Sequence, residues 1–380
     1  MYLSIRGVSL LFDPNPKTRR RDLFDREREL EELEKSLESK IKLTVLLGIR
    51  RIGKTSLLNV AVKELGKPCI KIDAGIFKIE GYTMYTLYRV LANGLSRLMG
   101  RWRGLREFLS RVKGLRVAGL EVEMSLDEEK PSLIEILGRL DEWASKNKED
   151  VLIAIDEAQN MRFLKGGYGR LDFGELIRYS MENFDNIRFL VTGSEVGVVM
   201  DFLGLENPSS PLYGRPSNII TLRRFSEDFS RNFLKEGFKE IGLHPEDRFI
   251  DKVVDTLDGV VGWLTLLGYR CYQLRRVDET LLREFVNYAE KLVEGELKKL
   301  EALSPRYIEV LKAVANGYTT WSDIKRWIEQ REKRLLPSSI VSRVVIKLVK
   351  LGYLDKRYTP RPEYMIPDPV IRKVLATKSM

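Results

Sequence analysis

The segment KLTVLLGIRRIGKTSLL, from Lys42 to Leu58, decides the fold of this 380-residue chain. Its first six residues form an apolar run typical of a buried strand, and the residues after it have the apolar spacing of an amphipathic helix. Between the two, Gly48 to Thr55 match the pattern GxxxxGK[ST] without exception. Glycines in this setting let backbone N–H groups and the helix N-terminus face an anion. The segment therefore predicts a phosphate-binding loop, with Lys54 on the phosphates and Thr55 as a ligand of Mg²⁺.

Four further apolar runs of strand length follow, separated by stretches of helical periodicity. They are PCIKID (68–73), VLIAID (151–156), IRFLVTG (187–193) and NIITL (218–222). Short strands that are apolar on both faces are typical of a parallel sheet covered by helices on both sides. The pattern predicts an α/β domain of the P-loop NTPase class. A strand-forming stretch, VAGLEVEM (117–124), interrupts the order and is predicted to be a small insertion.

Two acidic residues, Asp156 and Glu157, end the strand VLIAID. Ligands of open α/β sheets bind at the carboxyl ends of the strands. We expect Asp156 to hold Mg²⁺, together with Thr55, and Glu157 to orient and deprotonate an attacking water. Such a pair favours a hydrolase over a small-molecule kinase. The alternative is an acidic cap at a strand end without catalytic function.

Two weaker candidates follow along the chain. The strand IRFLVTG leads into Ser194, which could bond the γ-phosphate or the water. Its other interpretation is the N-cap of the next helix, and Thr192 is a second candidate for the same role. The turn-rich loop PLYGRP carries Arg215, a residue type suited to stabilising charge on a transferring phosphoryl group. Surface arginines in loops are common, so Arg215 by itself is a weak signal.

The chain is predicted to have three domains. After residue 222 the strand signal stops, and helical patterns continue to about residue 303. Ser304-Pro305 is typical of a helix start. Three helical stretches and two strand-like pieces then predict a winged helix. The expected division is an α/β ATPase domain at 1–222, a helical lid at 223–303 and a winged helix at 304–380.

The positive charge is concentrated in the last segment. Residues 304–380 contain 16 Lys and Arg against 7 Asp and Glu, a net charge of +9 within the +10 of the whole chain. On the third helix of this segment the basic residues follow helical spacing on one face, and others lie in the predicted wing. The candidate DNA contacts are Arg343, Lys347, Lys350, Lys356, Arg357 and Arg361. A basic face could lie along phosphates of duplex DNA, or be a solvated face of a winged helix that contacts protein.

The composition excludes several classes of protein. Two cysteines far apart and a single histidine, His244, support neither a metal site, a disulfide framework nor a Ser-His-Asp hydrolase. No apolar stretch approaches the length of about 20 residues that spans a bilayer, and we identify no secretory signal. We therefore expect a cytoplasmic protein without a membrane partner. Three glutamines among many Lys, Arg and Glu resemble the bias of hyperthermophilic proteins.

Together these motifs resemble the archaeal P-loop ATPase family, which is related to the AAA+ and STAND NTPases. The resemblance covers most of the chain and rests on LFDREREL (23–30), LLGIRRIGKTSLL, VLIAIDEAQ, VTGSEVG, PLYGR and GVVGWLTLLG (259–268). It implies an ASCE/AAA+-like sheet and ATP as the nucleotide. It also implies that Phe24, Asp25 and Arg26 help to place the base. The remaining expected nucleotide contacts are Gly48, Arg51, Ile52, Gly53, Lys54, Thr55 and Ser56.

The resemblance further implies that Ser194 is a sensor and that Arg215 responds to the γ-phosphate, in cis or from a neighbouring molecule. One position departs from the family pattern: Val261 stands where members usually carry proline, in a lid turn that keeps Gly262 and Trp263 in register.

Our leading hypothesis is a Mg²⁺-dependent ATPase that works as a switch, with a winged helix that reports the nucleotide state to DNA or to a protein partner. One alternative is a nucleotide-dependent adaptor or signalling module with little turnover. The other is a DNA-remodelling AAA+ factor, which would assemble into rings. The sequence leaves the oligomeric state open, and the absence of an NKxD-type guanine-reading motif favours ATP over GTP only weakly.

Overall fold

A computed structural model describes residues 10–39, 41–124, 131–166, 169–359 and 361–377. Within these residues the strands are, in chain order, β1 (Leu43–Leu47), β2 (Cys69–Asp73), β3 (Leu115–Ala118), β4 (Glu121–Met124), β5 (Val151–Asp156), β6 (Lys165–Gly166), β7 (Gly169–Arg170), β8 (Ile187–Gly193), β9 (Asn218–Thr221), β10 (Asp355–Thr359) and β11 (Arg361–Met365).

The α-helices of the same ranges are α1 (Glu27–Glu38), α2 (Lys54–Leu65), α3 (Ile76–Glu80), α4 (Met84–Arg101), α5 (Leu105–Leu109), α6 (Leu133–Asn147), α7 (Phe173–Asn183), α8 (Val196–Leu203), α9 (Glu227–Glu240), α10 (Asp247–Leu257), α11 (Val261–Leu274), α12 (Glu279–Leu303), α13 (Pro305–Ala315), α14 (Trp321–Glu332), α15 (Ser338–Lys350) and α16 (Pro369–Thr377). Short 3-10 helices cover Arg20–Asp22 and Ala158–Phe163.

The central sheet has five parallel strands in the order β2-β5-β8-β1-β9. Strand β8 therefore lies between the strand that precedes the phosphate loop and the strand that ends in Asp156. The register pairs Leu46 with Thr192 and Leu47 with Gly193, so the ends of β1 and β8 lie side by side. The predicted fold class is confirmed.

Each face of the sheet buries its own apolar core. Leu43, Val45 and Ile153 point to the side of α4, α6 and α7, whereas Leu46 and Leu152 point to the side of α1 and α2. Successive residues of a strand point to opposite faces, so a sheet that is covered on both sides needs apolar residues at nearly every position. This explains why the five strands read as continuous apolar runs.

The predicted insertion is a β-hairpin rather than a single strand. Strands β3 and β4 pair antiparallel and pack on α4. The turn between them holds Gly119 at φ +62°, a backbone conformation that glycine adopts at little cost. This reversal divides the predicted stretch VAGLEVEM into two short strands.

The helical lid and the winged helix share one apolar core. It contains Trp263 of α11, Leu300 of α12 and Leu311 of α13. The predicted boundary between residues 303 and 304 falls inside this continuous packing, and the division into domains remains a prediction. The N-terminal segment adds Phe12, whose ring packs so closely on Gly237 and Gly268 that a Cβ at either glycine would lie 2.4 Å or less from it.

The winged helix consists of α13, α14, α15 and the hairpin β10–β11, as predicted. A further helix, α16, was missed because its short pattern follows two prolines. Asp368 caps its start by accepting from the backbone N–H of Val370 at 2.9 Å. Among the described residues, no helix has both the length and the apolarity that crossing a membrane requires.

Candidate functional site

The phosphate-binding loop lies between β1 and α2. Its backbone has positive φ at Gly48, Arg51 and Gly53, and α2 begins at Lys54. A Cβ at Gly48 would lie 2.9 Å from both the Ile52 side chain and the Leu222 carbonyl oxygen. Glycine is therefore required at this position by close packing as well as by the backbone conformation. The loop directs the first N–H groups of α2 towards the carboxyl edge of the sheet, a geometry suited to an anion.

Lys54 is buried at the centre of this loop. Its ammonium group donates to the carbonyl oxygens of Gly48 and Ile49, both at 2.8 Å. Burial lowers the pKa of Lys54 to about 8, although Glu157 and Asp156 oppose the shift. Since its donors are satisfied only by loop carbonyls, the side chain can exchange them for phosphate oxygens with little rearrangement.

Asp156 accepts hydrogen bonds from two hydroxyl groups. Thr55 donates to its Oδ2 at 2.8 Å, and Thr192 donates to its Oδ1. Magnesium in phosphate sites is held by one or two carboxylate or hydroxyl oxygens together with water and phosphate. The adjacent oxygens of Thr55 and Asp156 are a donor set of this kind, so these residues fit the ion.

Glu157 follows Asp156 in the left-handed conformation, at φ +51°. Its Oε2 accepts from Ser194 Oγ at 2.8 Å and from Gln159 Nε2. These two donors hold the carboxylate at the wall of a cavity that Lys54 and Thr55 also line. A carboxylate oriented in this way can accept a proton from a water that lies between it and a bound phosphate.

The cavity has a volume of about 920 Å³, which suits a nucleotide-sized ligand. Many parts of the chain line it, namely the N-terminal segment, the phosphate loop, the α3 region, the carboxyl ends of β5 and β8, the lid and the winged helix. Its lining includes the charged side chains of Lys54 and Glu157 and a cluster of three rings, Phe24, Phe225 and Phe233. Charged groups and aromatic rings are the residue types that suit the phosphates and the base of a nucleotide.

Comparison with known families agrees with this geometry. Residues 23–267 match the model of a family described as an ATPase domain predominantly from Archaea. The chain belongs to this family of archaeal ATPases. Residues 301–365 match the model of the C-terminal winged helix-turn-helix domain of MCM proteins.

Solved structures similar to this archaeal ATPase extend the comparison to the whole chain. A Walker-type ATPase of Pyrococcus abyssi is 35% identical, with a TM-score of 0.80 over 96% of this chain and 99% of that chain. The ORC2 protein of Aeropyrum pernix, in ADPNP–ADP complexes, is 17% identical, with a TM-score of 0.58 over 97% and 98%. The second likeness concerns the fold alone. No curated protein matches the chain.

The three residues Phe24, Asp25 and Arg26, which the family resemblance assigns to the nucleotide base, lie in different environments in the archaeal ATPase. Phe24 lines the cavity and packs against Phe225 and Phe233, at ring-centroid distances of 6.0 and 5.4 Å. Arg26 is buried and donates to the Arg223 carbonyl oxygen at 2.8 Å, so it ties the start of α1 to the chain that enters the lid. Asp25 lies outside the cavity, in a neighbouring surface groove.

Two of the expected loop contacts are engaged within the protein. Ile52 is fully buried in the core beneath α1 and α2. The Ser56 hydroxyl accepts from the Lys17 backbone N–H at 3.1 Å, which attaches the N-terminal segment to the start of α2. Both residues line the cavity.

The lid closes on the phosphate loop through Arg51. The Gly262 N–H donates to the Arg51 carbonyl oxygen at 2.8 Å, and the Arg51 guanidinium lies 4.2 Å from the centre of the Trp263 ring. Trp263 Nε1 donates to both oxygens of buried Asp368 at 3.1 Å. Burial raises the pKa of Asp368 above its ordinary value, and Arg51 opposes the shift.

The Gly262 contact is tight, because a Cβ there would lie 2.7 Å from the Arg51 Cβ. Val261, which replaces the usual proline, is the first residue of α11 and lies 3.7 Å from the position a Cβ would take at Gly53. Proline is favoured at the first position of a helix but is not required there. The lid turn therefore forms with valine.

The end of α15 docks beside the carboxyl end of β8. Lys350 forms an ion pair with Asp201 of α8 at 2.7 Å, and a Cβ at Gly352 would lie 3.1 Å from the Ser194 carbonyl oxygen. Tyr353 and Leu351 line the nucleotide cavity. Lys350 is therefore separated from the other candidate DNA contacts, because its charge faces the ATPase domain.

The remaining basic candidates are accessible. Side chains of Arg343, Lys356, Arg357 and Arg361 are exposed, and Lys347 is half-buried. Lys356 lies 4.7 Å from the centre of the exposed Tyr358 ring in the wing. The structure thus brings most of the predicted basic face to the surface.

Arg215 does not approach the cavity. It precedes β9, whose first residue, Asn218, pairs with Thr44 near the start of β1. All five strands are parallel, so Arg215 lies at the amino edge of the sheet and the phosphate loop at the carboxyl edge. Its guanidinium pairs there with Glu182 of α7. A role in cis would therefore need a large rearrangement.

Sequence reasoning missed several polar residues at the cavity, among them Arg50, Gln159, Glu195 and Glu296. Arg50 occupies a variable position of the GxxxxGK[ST] pattern, so the motif assigns it no role. Its charge inside a phosphate loop was the available signal. Glu296 is one of many glutamates on α12, and only the docking of the lid distinguishes it.

Proposed function

We propose that this archaeal ATPase is a Mg²⁺-dependent, ATP-hydrolysing switch whose winged helix couples the nucleotide state to duplex DNA. The observation that carries the proposal is the convergence of Lys54, Thr55, Glu157 and Ser194 on one cavity that the winged helix also lines. Asp156 lies directly behind this wall and accepts a hydrogen bond from Thr55. The ORC2 relative, solved with ADPNP and ADP, supports a nucleotide as the ligand of this fold.

In the proposed reaction, the phosphate loop binds the β- and γ-phosphates, and Lys54 moves its donors from the loop carbonyls to phosphate oxygens. Thr55 and Asp156 would hold Mg²⁺, which neutralises negative charge on the phosphates when it is bound. Glu157 accepts a proton from the attacking water. The water oxygen bonds to the γ-phosphorus, and the bond between the γ-phosphorus and the β,γ-bridging oxygen breaks, so that ADP leaves with that oxygen. Ser194 positions the Glu157 carboxylate through its hydroxyl group.

The link to DNA rests on the exposed basic side chains of α15 and the wing. Residues 304–380 carry a net charge of +9, and Arg343, Lys356 and Arg357 are exposed while the end of α15 faces the ATPase domain. Cationic side chains on a helix and a wing are the usual phosphate contacts of such domains. Contact between α15 and the cavity wall is what would make DNA binding depend on the nucleotide.

One observation supports the adaptor alternative. The Lys350 side chain at the end of α15 is paired with Asp201 of the same chain, so part of the predicted basic face is already engaged by protein groups. A winged helix used only for protein contacts would leave nucleotide binding intact without any response to DNA.

ATP hydrolysis with Mg²⁺, measured with and without duplex DNA, tests the proposal. We expect Lys54→Ala to abolish ATP binding and hydrolysis, because the buried ammonium is the charge closest to the phosphates. Lys63→Ala, an exposed lysine on the same helix, is the matched control and should retain both. Turnover in the wild type that DNA leaves unchanged, with no DNA binding at low salt, would favour the adaptor. Absence of nucleotide binding by the wild type would overturn the proposal.

A further inference from the structure

Arg50 has an unusual position inside the phosphate loop. It lies between Gly48 and Lys54, its side chain lines the cavity and is 42% exposed, and two carboxylates share its guanidinium. Glu296 Oε2 lies 3.2 Å from Nη1, and Glu195 Oε1 lies 3.6 Å from Nη2. The guanidinium also lies 5.9 Å from the centre of the Tyr353 ring.

These three partners come from three parts of the fold. Glu195 follows the sensor residue Ser194 at the end of β8, Glu296 belongs to α12 of the lid, and Tyr353 follows α15 of the winged helix. A single side chain of the phosphate loop is thus in contact with the sensor strand, the lid and the winged helix.

We propose that Arg50 contacts the γ-phosphate of a nucleoside triphosphate in cis, and that this contact replaces its ion pairs with Glu195 and Glu296. The inference rests on the proposed function, since it requires a nucleotide in the loop. Guanidinium groups bind carboxylates and phosphates with the same planar pair of donors, so the two kinds of partner compete directly.

The geometry favours the third phosphate over the second. The backbone N–H groups of the loop serve mainly the β-phosphate, and Lys54 reaches the β- and γ-phosphates. Arg50 points instead towards Glu195, next to Ser194, whose hydroxyl group holds the Glu157 carboxylate at 2.8 Å. The attacking water must lie beside Glu157, so the γ-phosphate lies on the side that Arg50 faces.

The neighbouring arginine has a different environment. Arg51 stacks on Trp263, pairs with Glu296 and lies 3.7 Å from Asp368. Its guanidinium is enclosed by the lid and the end of the winged helix, and only 21% of its side chain is exposed. Arg51 therefore holds the lid in place, while Arg50 can change partners.

A switch follows from this difference. A triphosphate removes Arg50 from Glu296 and from the Tyr353 ring, which weakens the contact of α12 and the winged helix with the loop. A diphosphate lacks the group that competes for Arg50 and leaves the contact intact. The two nucleotides would thereby shift the population between docked and released winged helix, because only one of them binds Arg50.

Binding of ADP and of a non-hydrolysable ATP analogue, each with Mg²⁺, tests the assignment in the full chain. We expect Arg50→Ala to lower the affinity for the ATP analogue by about ten- to hundredfold, which corresponds to the loss of one charged hydrogen bond. The affinity for ADP should change by less than about twofold. Arg50→Lys should recover part of the loss. Arg51→Ala is the matched neighbour, and it should affect the two nucleotides alike.

Glu195→Gln tests whether the Glu195 carboxylate competes with the γ-phosphate for Arg50. With one carboxylate neutralised, Arg50 is freer to move, and we expect the analogue to bind more tightly while ADP binding stays constant. An Arg50→Ala variant with an unchanged ratio of the two affinities would overturn the inference and leave the proposed function standing. Failure of the wild type to bind either nucleotide would overturn both.

Discussion

The two edges of the five-stranded sheet both carry charged residues, but these are buried at the carboxyl edge and exposed at the amino edge. At the carboxyl edge, Lys54 and Asp156 are buried, Lys54 donates to the Gly48 carbonyl oxygen, and Asp156 accepts from Thr55. At the amino edge, Arg215 and Glu182 form an ion pair whose side chains are 42% and 36% exposed. Parallel strands bring every loop that follows a strand to one edge and every loop that precedes a strand to the other. A charged residue that follows a strand therefore lies at the carboxyl edge, and one that precedes a strand lies at the amino edge.

Because of this difference in burial, the loss of a charged group should cost more stability at the carboxyl edge than at the amino edge. A buried charge that loses its partner destabilises a protein by several kcal/mol, about 3–5 in measured cases. An exposed ion pair contributes about 1 kcal/mol or less. Substitutions at the carboxyl edge should accordingly have large effects, and equivalent ones at the amino edge small effects.

The largest effect is expected for Glu157→Gln. Glutamine keeps the shape of the side chain but cannot accept a proton, so the hydrolysis rate should fall by about a hundred- to ten-thousandfold with ATP binding retained. Single-turnover hydrolysis with Mg²⁺ measures the chemical step directly. Glu182→Gln makes the same change at the amino edge and should leave the rate unaltered. Equal rates for Glu157→Gln and the wild type would show that the base lies elsewhere.

A smaller effect is expected where the lid covers the carboxyl edge. Trp263→Phe keeps an aromatic ring beside Arg51 but removes the N–H that donates to buried Asp368, and should lower the free energy of unfolding by about 1–3 kcal/mol.

Trp327→Phe is the matched control for this change. Among the described residues, Trp327 Nε1 is buried without a hydrogen-bond partner, so its removal breaks no bond. Chemical unfolding curves compare the two variants. If Trp327→Phe destabilised the protein as much as Trp263→Phe, loss of ring volume rather than of the Asp368 bond would be the cause.

The smallest effect is expected for Arg215→Ala. Loss of an exposed ion pair should change stability by less than about 1 kcal/mol, and nucleotide affinity of the single chain should not change. Specific ATPase activity measured over a range of protein concentrations reveals any role on a neighbouring molecule. Activity that rises with concentration in the wild type but not in the variant would assign Arg215 to a neighbour's site. Lower activity of the variant at high dilution would instead indicate action in cis.

Much of the candidate site was predictable because its signals are local. The phosphate loop is a run of eight residues between a strand and a helix, and its glycines and helix start determine its shape. Asp156 and Glu157 lie more than 100 residues further on, but both follow a strand, and the fold class places strand ends at one edge. The contact between Asp156 and Thr55 could therefore be predicted from the sequence, and the ion that they would hold remains a prediction.

Other features could not be predicted because they depend on distant packing. Arg50 and Glu296 are 246 residues apart, and they meet only because α12 docks over the loop. Lys350 follows the same helical spacing as Arg343 and Lys347, yet it pairs with Asp201 of α8. Helical periodicity predicts which residues share one face of a helix, but it does not predict which other element of the fold contacts the end of that face.

The sequence by itself determined the P-loop class, the parallel sheet, the winged helix and the residues of the phosphate and acidic motifs. These features follow from short-range rules, namely apolar periodicity, glycine at positive φ and the charge of a strand end. Only the tertiary structure decided that Arg50 lies between the end of β8, the lid and the winged helix, that Arg215 lies at the opposite edge, and that Trp263 donates a hydrogen bond to Asp368. Each of these contacts requires segments far apart in the chain to pack together, which no local pattern encodes.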